Sequence, residues 1–236
     1  TEGDGTWVSF KHALVNGQWR VTETATAQGT TTYAYSSGYT TVTNSRGEAS
    51  QYHYDSNQQL TKIVSPQVSS DGQPAAAIEQ RFEYQNGRVS AVVDGDGKRT
   101  VYEHDADGNL TLERDDFGNT IRRSYRQIND QWLLNSEVVY LTPDPDGDGS
   151  QQASNPLVTR FVYDGEGHLR FSINARGEVT EQVYFANGTL QNGVVLDGLL
   201  SEMRVYTGNA YSLAGLDWNS ELYDDNLRTW LNGVDK

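Results

Sequence analysis

The chain has 236 residues, with 23 glycines, 5 prolines, 14 tyrosines, no cysteine and a net charge of −14. The lack of thiols excludes disulfides, thiol catalysis and cysteine-ligated zinc or iron–sulfur centres. The acidic balance argues against nucleic acid as a partner, and no apolar stretch approaches the ~20 residues of a membrane helix, so no membrane insertion is expected.

Glycine and aromatics with little proline favour short strands joined by tight turns, in a chain long enough to bury a core. The chain opens "TEGDGTW" without a methionine or a basic-then-apolar leader. The expectation is a piece of a larger polypeptide, whose remainder is its first partner.

In chain order, residues 1–39 read as an N-terminal β segment of divergent repeats. Residues 40–198 read as a ribbon of β-hairpins. Gly47 ("NSRGEA") and Asn57 ("DSNQQL") stand ten apart; Gly87, Gly97, Gly108 and Gly118 recur at ten or eleven, as do Gly167, Gly177 and Gly188. Between them lie runs of alternating polarity: "RTVYEH", "LTLERD", "TRFVYD", "HLRFSIN", "EVTEQVYF". Period-two alternation bounded by Gly, Asn and Asp is the hairpin signal, and a fixed period implies modules that stack. Two stretches without alternation, 65–78 and 141–157, read as inserted loops, and 124–141 as two longer strands around "NDQ". Residues 199–236 read as a divergent capping segment. In it Leu222, Leu227, Trp230 and Leu231 have near-helical spacing, with Asp224 and Asp225 as caps and Gly233 as the stop. The fold class is all-β: repeated antiparallel hairpins in a curved meander, with a short C-terminal helix.

One kind of turn follows an aromatic pair at i and i+2: Tyr52/Tyr54, Phe82/Tyr84, Tyr102/His104, Phe161/Tyr163, and Val183 with Phe185. Such pairs share a sheet face and stack from hairpin to hairpin, their hydroxyls free to bond or to face solvent. Asp55, Asp105 and Asp164 then open the turn, where an aspartate accepts hydrogen bonds from amides two residues on and Gly108 or Gly167 supplies a positive φ. Leu60, Leu110 and Leu169 lead the strand back to the core. The other turn ("NSRGEA", "DGDGKR", "DDFGNT", "NARGEV") is more polar.

These residues resemble the YD repeat, also called the Rhs repeat: Tyr, any residue, Tyr, Asp, two residues, Gly, any residue, Leu, then a second glycine turn. Tyr163, Asp164, Gly167 and Leu169 match fully. Tyr102, Asp105, Gly108 and Leu110 match with His104 in place of the second tyrosine. Tyr52, Tyr54, Asp55 and Leu60 match without the glycine, and Tyr84 with Gly87 forms a shortened copy without the aspartate. The resemblance covers about 40–200. It implies a spiralling hairpin ribbon of the kind that forms hollow shells in bacterial polymorphic toxins, insecticidal toxin complexes and teneurins. It further implies a secreted or cell-surface bacterial protein, an enclosed C-terminal passenger as partner, and no catalytic residue. There are too few hairpins here for a closed shell, and no convincing match to the self-cleavage segment.

The metal candidate is "DPDGDGS", where Asp144, Asp146 and Asp148 at alternate positions before Gly149 imitate the first half of an EF-hand loop. Position 12 is Asn155 rather than glutamate, so the alternatives are a Ca²⁺ loop, the one cofactor considered, and a solvated acidic loop. "DGDGK" (94–98) and "EGDGT" (2–6) are weaker versions. His12, His53, His104 and His168 have no metal-ligand spacing. No nucleophile elbow, P-loop, dinucleotide fingerprint or zincin helix occurs, and "RDDFGN" reads as a hairpin turn. Trp7, Trp19, Trp132, Trp218 and Trp230 with the tyrosines offer a second binding alternative, a platform for stacking a glycan.

Overall fold

The structure, a computed structural model, describes residues 7–68 and 74–234. The chain divides into two compact units, Thr1–Thr100 and Val101–Lys236.

The first unit is a meander of eight strands: β1 (Val8–Val15), β2 (Gln18–Thr26), β3 (Gly29–Ser36), β4 (Tyr39–Thr43), β5 (Ala49–Tyr54), β6 (Leu60–Val68), β7 (Pro74–Gln85) and β8 (Arg88–Val93). Each pairs antiparallel with the next. Val15 faces Gln18 and Gln85 faces Arg88, so Asn16–Gly17 and Asn86–Gly87 are two-residue loops. Both residues of each have positive φ, at 50° and 79° for the first and 51° and 79° for the second. This is the turn that matches strand twist and favours Asn-Gly. The "shortened copy" at Tyr84 and Gly87 is thus a different kind of turn, which explains its missing aspartate. Ala91 is the one fully buried apolar side chain among the described residues of this unit.

The second unit holds all but the first two residues of β9 (Arg99–His104), and β10 (Leu110–Arg114), β11 (Thr120–Ile128), β12 (Gln131–Thr142), β13 (Ser154–Tyr163), β14 (Leu169–Ile173) and β15 (Val179–Tyr184). A separate small hairpin, β16 (Leu190–Gln191) and β17 (Val194–Val195), precedes β18 (Leu200–Tyr206), which pairs back on β15. The expected strands around "NDQ" form, with Ile128 opposite Gln131. One cross-strand row runs Ser124, Ser136, Arg160, Ile173, Val179 and Tyr206. Its apolar end merges into the core of Val162, Phe171, Ile173, Val179, Leu222 and Leu227. The ribbon pairing therefore reaches Tyr206, eight residues past the expected boundary at 198.

Both expected loops are shorter than the sequence suggested. β6 runs to Val68 and β7 begins at Pro74, so most of 65–78 is strand; residues 69–73 lie outside the described residues. The register shifts between Ser65 and Gln67, which leaves Pro66 at an irregularity where its missing N–H is tolerated. Likewise β12 continues to Thr142 and β13 begins at Ser154, trimming the second loop to 143–153.

The C-terminal helix α1 spans Asp224–Leu231. Its N-cap is Tyr223, whose N–H donates to Asn226 Oδ1 at 2.9 Å. Asp224 and Asp225 lie in the first turn, where the helix dipole favours anions, rather than at the cap.

Candidate functional site

The repeated acidic turn proves to be one loop used seven times among the described residues. It starts at Asn44, Asp55, Asp94, Asp105, Asp115, Asp164 and Asn174. In every case residue i donates its N–H to the carbonyl of i+4, and residue i+3 donates back to the carbonyl of i. The side-chain Oδ1 of residue i accepts the amides of i+2 and i+4 at 2.8–3.1 Å. Residue i+3 has positive φ in all seven: glycine in six, Gln58 at 64° in the other. The two turn types of the sequence are therefore physically the same, and an amide oxygen serves as well as a carboxylate.

The carboxyls of Asp105 and Asp164 sit below the usual range. Partial burial opposes their ionisation but is outweighed by hydrogen bonds. For Asp105 these come from the Asn109 side chain and the amides of Asn109, Gly108 and Asp107; for Asp164, from the amides of His168 and Glu166 and from the His168 ring.

The residue after the loop is the next fixed point. The hydroxyl of Tyr84 donates to the Leu60 carbonyl at 2.9 Å, Tyr125 to Leu110 at 3.0 Å and Tyr184 to Leu169 at 3.0 Å. Each leucine stands directly after an aspartate loop, and each tyrosine lies on the next strand, which pairs with the leucine's own. Tyr163 reaches Leu134 at 2.9 Å and Tyr35 reaches Val21 at 2.7 Å in the same manner. Burial pushes the hydroxyls of Tyr125 and Tyr163 above their ordinary value, which keeps them donors. Thr61 and Thr111 add bonds back to His53 and Glu103.

Of the residues singled out from sequence, Asp55, Asp105, Asp164, Gly108, Gly167, Leu110, Leu169, Tyr84 and Tyr163 thus belong to this loop-and-tyrosine set. Tyr52 and Tyr102 are half-buried strand residues opposite Ile63 and Glu113, and Tyr54 ends β5 opposite Leu60. Tyr125 and Tyr184 were missed. Their signal was present: each lies fifteen residues after its leucine and twenty after its aspartate. The pair singled out there, Val183 with Phe185, flanks the tyrosine that makes the bond.

The acidic loop has a different anchor. Asp144 is 3% exposed, its carboxylate lies 3.8 Å from Arg114, and its N–H donates to the Gly118 carbonyl at 2.9 Å. Arg114 donates to the carbonyls of Gly147 and Asp148 at 3.1 and 2.9 Å. Asp146 bonds the Ser150 hydroxyl, and Asp148 accepts the Ser150 amide at 2.8 Å. The Ser150 hydroxyl first, then the side chains of Asp144 and Asp148 and the Asp148 amide, hold the Asp146 carboxyl well below the usual range. The three carboxylates are held by the loop and by Arg114, and no group of three metal-ligating side chains converges among the described residues.

The C-terminal segment crosses the face of the second unit. Three side chains of the sheet grip its main chain: Arg126 the Leu222 carbonyl at 2.8 Å, Arg160 that of Asp217 at 3.0 Å, and Asn135 that of Asn219 at 3.1 Å. Leu227 is fully buried against the core, and Trp230 meets Tyr206 and Tyr211 edge-on. Of the candidate glycan-stacking tryptophans, Trp230 is therefore a packing residue, while Trp7, Trp19 and Trp132 are exposed.

Residues 85–120 match the family model of the RHS repeat, so the resemblance read from the sequence holds over that span. No curated protein matches the chain. Among solved structures the chain is similar to the crystal structure of TcdB2-TccC3-TEV, at 12% identity over 85% of this chain and 14% of that chain, with a TM-score of 0.33. It is similar to TcdB2-TccC3 without its hypervariable C-terminal region, at 12% identity over 81% of this chain and 14% of that chain (TM-score 0.31). It is also similar to a porin-like protein from Bacteroides uniformis, at 10% identity over 84% of this chain and 81% of that chain (TM-score 0.33). The chain spans 14% of the length of the TcdB2-TccC3 chains it matches. No helix among the described residues is long and apolar enough to cross a membrane.

Proposed function

We propose that this chain is a non-catalytic structural module: a stretch of hairpin ribbon from a large secreted or cell-surface bacterial protein of the YD/Rhs-repeat type. The longer ribbon would form a shell or scaffold around or beside a passenger domain. The observation that carries this reading is the pair of contacts that recurs at the Asp55, Asp105 and Asp164 loops. The aspartate holds its own loop, and the tyrosine ties the next strand to the loop's exit. The signature polar groups are thereby committed to building the ribbon. The RHS-repeat match at 85–120 supports the same reading.

An antibody raised to the chain and used on fresh extract, with protease inhibitors, tests it. The expected band is several times larger than 26.2 kDa. A native polypeptide of 26.2 kDa would refute the shell or scaffold role.

A further inference from the structure

We propose that Asn192, at the tip of the small hairpin β16–β17, is a site of self-modification: the peptide nitrogen of Gly193 attacks its side-chain amide, and the tip is converted to aspartate and isoaspartate.

Five Asn-Gly pairs occur in the sequence, at 16–17, 86–87, 187–188, 192–193 and 232–233. A glycine leaves the peptide nitrogen after the asparagine unshielded by any side chain, so these pairs are the ones most open to ring closure. The structure separates them. The Gly188 N–H donates to Asp197 Oδ1 at 2.7 Å, and the Gly233 N–H donates to the Trp230 carbonyl at 3.0 Å. Each of these nitrogens must break a hydrogen bond before it reacts. The N–H groups of Gly17, Gly87 and Gly193 have no hydrogen-bond partner among the described residues, and all three pairs are exposed.

In those three pairs the asparagine has a left-handed φ, 50° at Asn16 and 51° at Asn86 and Asn192. The two-residue turn fixes the torsion between the side chain and the next nitrogen, so the ring closes only when the turn opens. The strands behind each turn set how often that happens. β1 pairs with β2 along Val8–Val15, and β7 pairs with β8 along Arg81–Gln85. β16 and β17 form a separate sheet that pairs only Leu190 with Val195 and Gln191 with Val194. One bond, from the Leu196 amide to the Thr189 carbonyl at 3.0 Å, continues their ladder. An isolated two-stranded hairpin is marginal in water, and such segments open at the lowest free energy in a fold. Asn192 therefore reacts first.

The Gly193 nitrogen bonds to Asn192 Cγ, and the side-chain nitrogen leaves with the Gly193 proton as ammonia. Water then adds to either carbonyl of the cyclic imide and breaks that C–N bond. The balance is water consumed, ammonia released and one carboxylate gained, with nothing oxidised or reduced. Opening on the side-chain carbonyl keeps the ordinary main chain and gives aspartate there, which left-handed φ tolerates. Opening on the main-chain carbonyl gives isoaspartate, routes the main chain through Cβ and Cγ, and breaks the turn that aligns β16 with β17.

The test is ageing of the full 236-residue chain in neutral buffer made with heavy-oxygen water, followed by peptide mapping by mass spectrometry. Isoaspartate is read separately with an isoaspartyl methyltransferase and labelled S-adenosylmethionine. The expected label appears first at Asn192, several-fold faster than at Asn16 or Asn86, and last at Asn187 and Asn232. In the urea-unfolded chain the five rates converge. Asn192→Gln, whose longer side chain closes the ring far more slowly, keeps the wild-type circular dichroism and loses the label at that position. Asp197→Ala frees the Gly188 N–H and raises labelling at Asn187 several-fold, whereas Asp197→Asn keeps an accepting oxygen and leaves Asn187 slow. A folded chain that labels Asn16 or Asn86 before Asn192, that labels all five pairs alike, or that gains no label at Asn192 would overturn the assignment.

Discussion

The hydroxyl of Tyr125 donates to the carbonyl of Leu110 at 3.0 Å. The acceptor is the first residue after the Asp105 loop, and the donor lies on β11, the strand paired with that residue's own. Removing the hydroxyl leaves a half-buried carbonyl without its partner, at a cost of about 1 kcal/mol. Tyr125→Phe and Tyr184→Phe are each expected to lower stability by that amount in urea unfolding. The two bonds lie in separate repeats with no shared partner, so the double variant should show the sum to within about 0.5 kcal/mol. A double variant no less stable than either single one would mean that the repeats do not bear load independently.

Two glycines in equivalent loops should respond differently. Gly47 and Gly118 have φ of 82° and 80°. A Cβ at Gly47 would meet nothing, whereas one at Gly118 would lie 2.1 Å from the Asp144 carbonyl oxygen. Gly47→Ala carries only the left-handed penalty of about 1–2 kcal/mol. Gly118→Ala adds a backbone clash and should displace the acidic loop. Limited proteolysis should then cut within 143–153 in Gly118→Ala and leave that loop intact in Gly47→Ala.

Much of this ribbon was legible because its turns need particular residues. Six of the seven loops take glycine at the left-handed position, so glycine spacing gave the hairpin period directly. Asn86–Gly87 was legible as a turn but not as a different one, since its distinguishing feature is the register of Gln85 with Arg88. Pro66 misled, because proline marks loops in general and is tolerated here by a local register shift. Tyr184 was passed over for its neighbours, since its partner lies on another strand and only pairing reveals the contact. The alternating aspartates of 144–148 were visible, but Arg114, some thirty residues earlier, was not, and it decides how that loop is held.

The loops also set a pH window. The folded-state pKa values of Asp105 and Asp164 are lowered from 3.8, so their stabilisation is fully present above that value. It is lost as pH falls below it, because the unfolded chain then binds more protons. Tyr125 and Tyr163 are raised above 10.0 by burial. Their contribution is fully present below 10.0 and lost as pH rises beyond it, where the unfolded chain ionises first. Stability should therefore plateau between these limits. Asp105→Asn keeps the accepting oxygen, as Asn44 and Asn174 do in their own loops. It should fold normally at neutral pH and flatten the acid limb of a melting-temperature profile. An acid limb unchanged in Asp105→Asn would show that this loop's ionisation does not contribute.

Arg114 and Asp144 lie 3.8 Å apart, with side chains 11% and 2% exposed. A buried carboxylate that loses its cation is left uncompensated, at a cost of about 3–5 kcal/mol. Arg114 also donates to the carbonyls of Gly147 and Asp148, so Arg114→Ala removes the loop's clamp and its counter-charge together. The expected outcome is a large fall in stability, with new cleavage inside 143–153. The same arrangement bears on calcium. Asp144 faces Arg114, Asp146 accepts the Ser150 hydroxyl and Asp148 the Ser150 amide, and no group of three side chains fit to hold a metal is found among the described residues, so millimolar Ca²⁺ should leave the melting temperature unchanged. A rise with Ca²⁺ that disappears in Asp146→Ala would instead mean that the loop rearranges around the ion, drawing Asp144 away from Arg114. In that case Arg114→Ala, with the competing cation gone, should bind Ca²⁺ more tightly than the wild type.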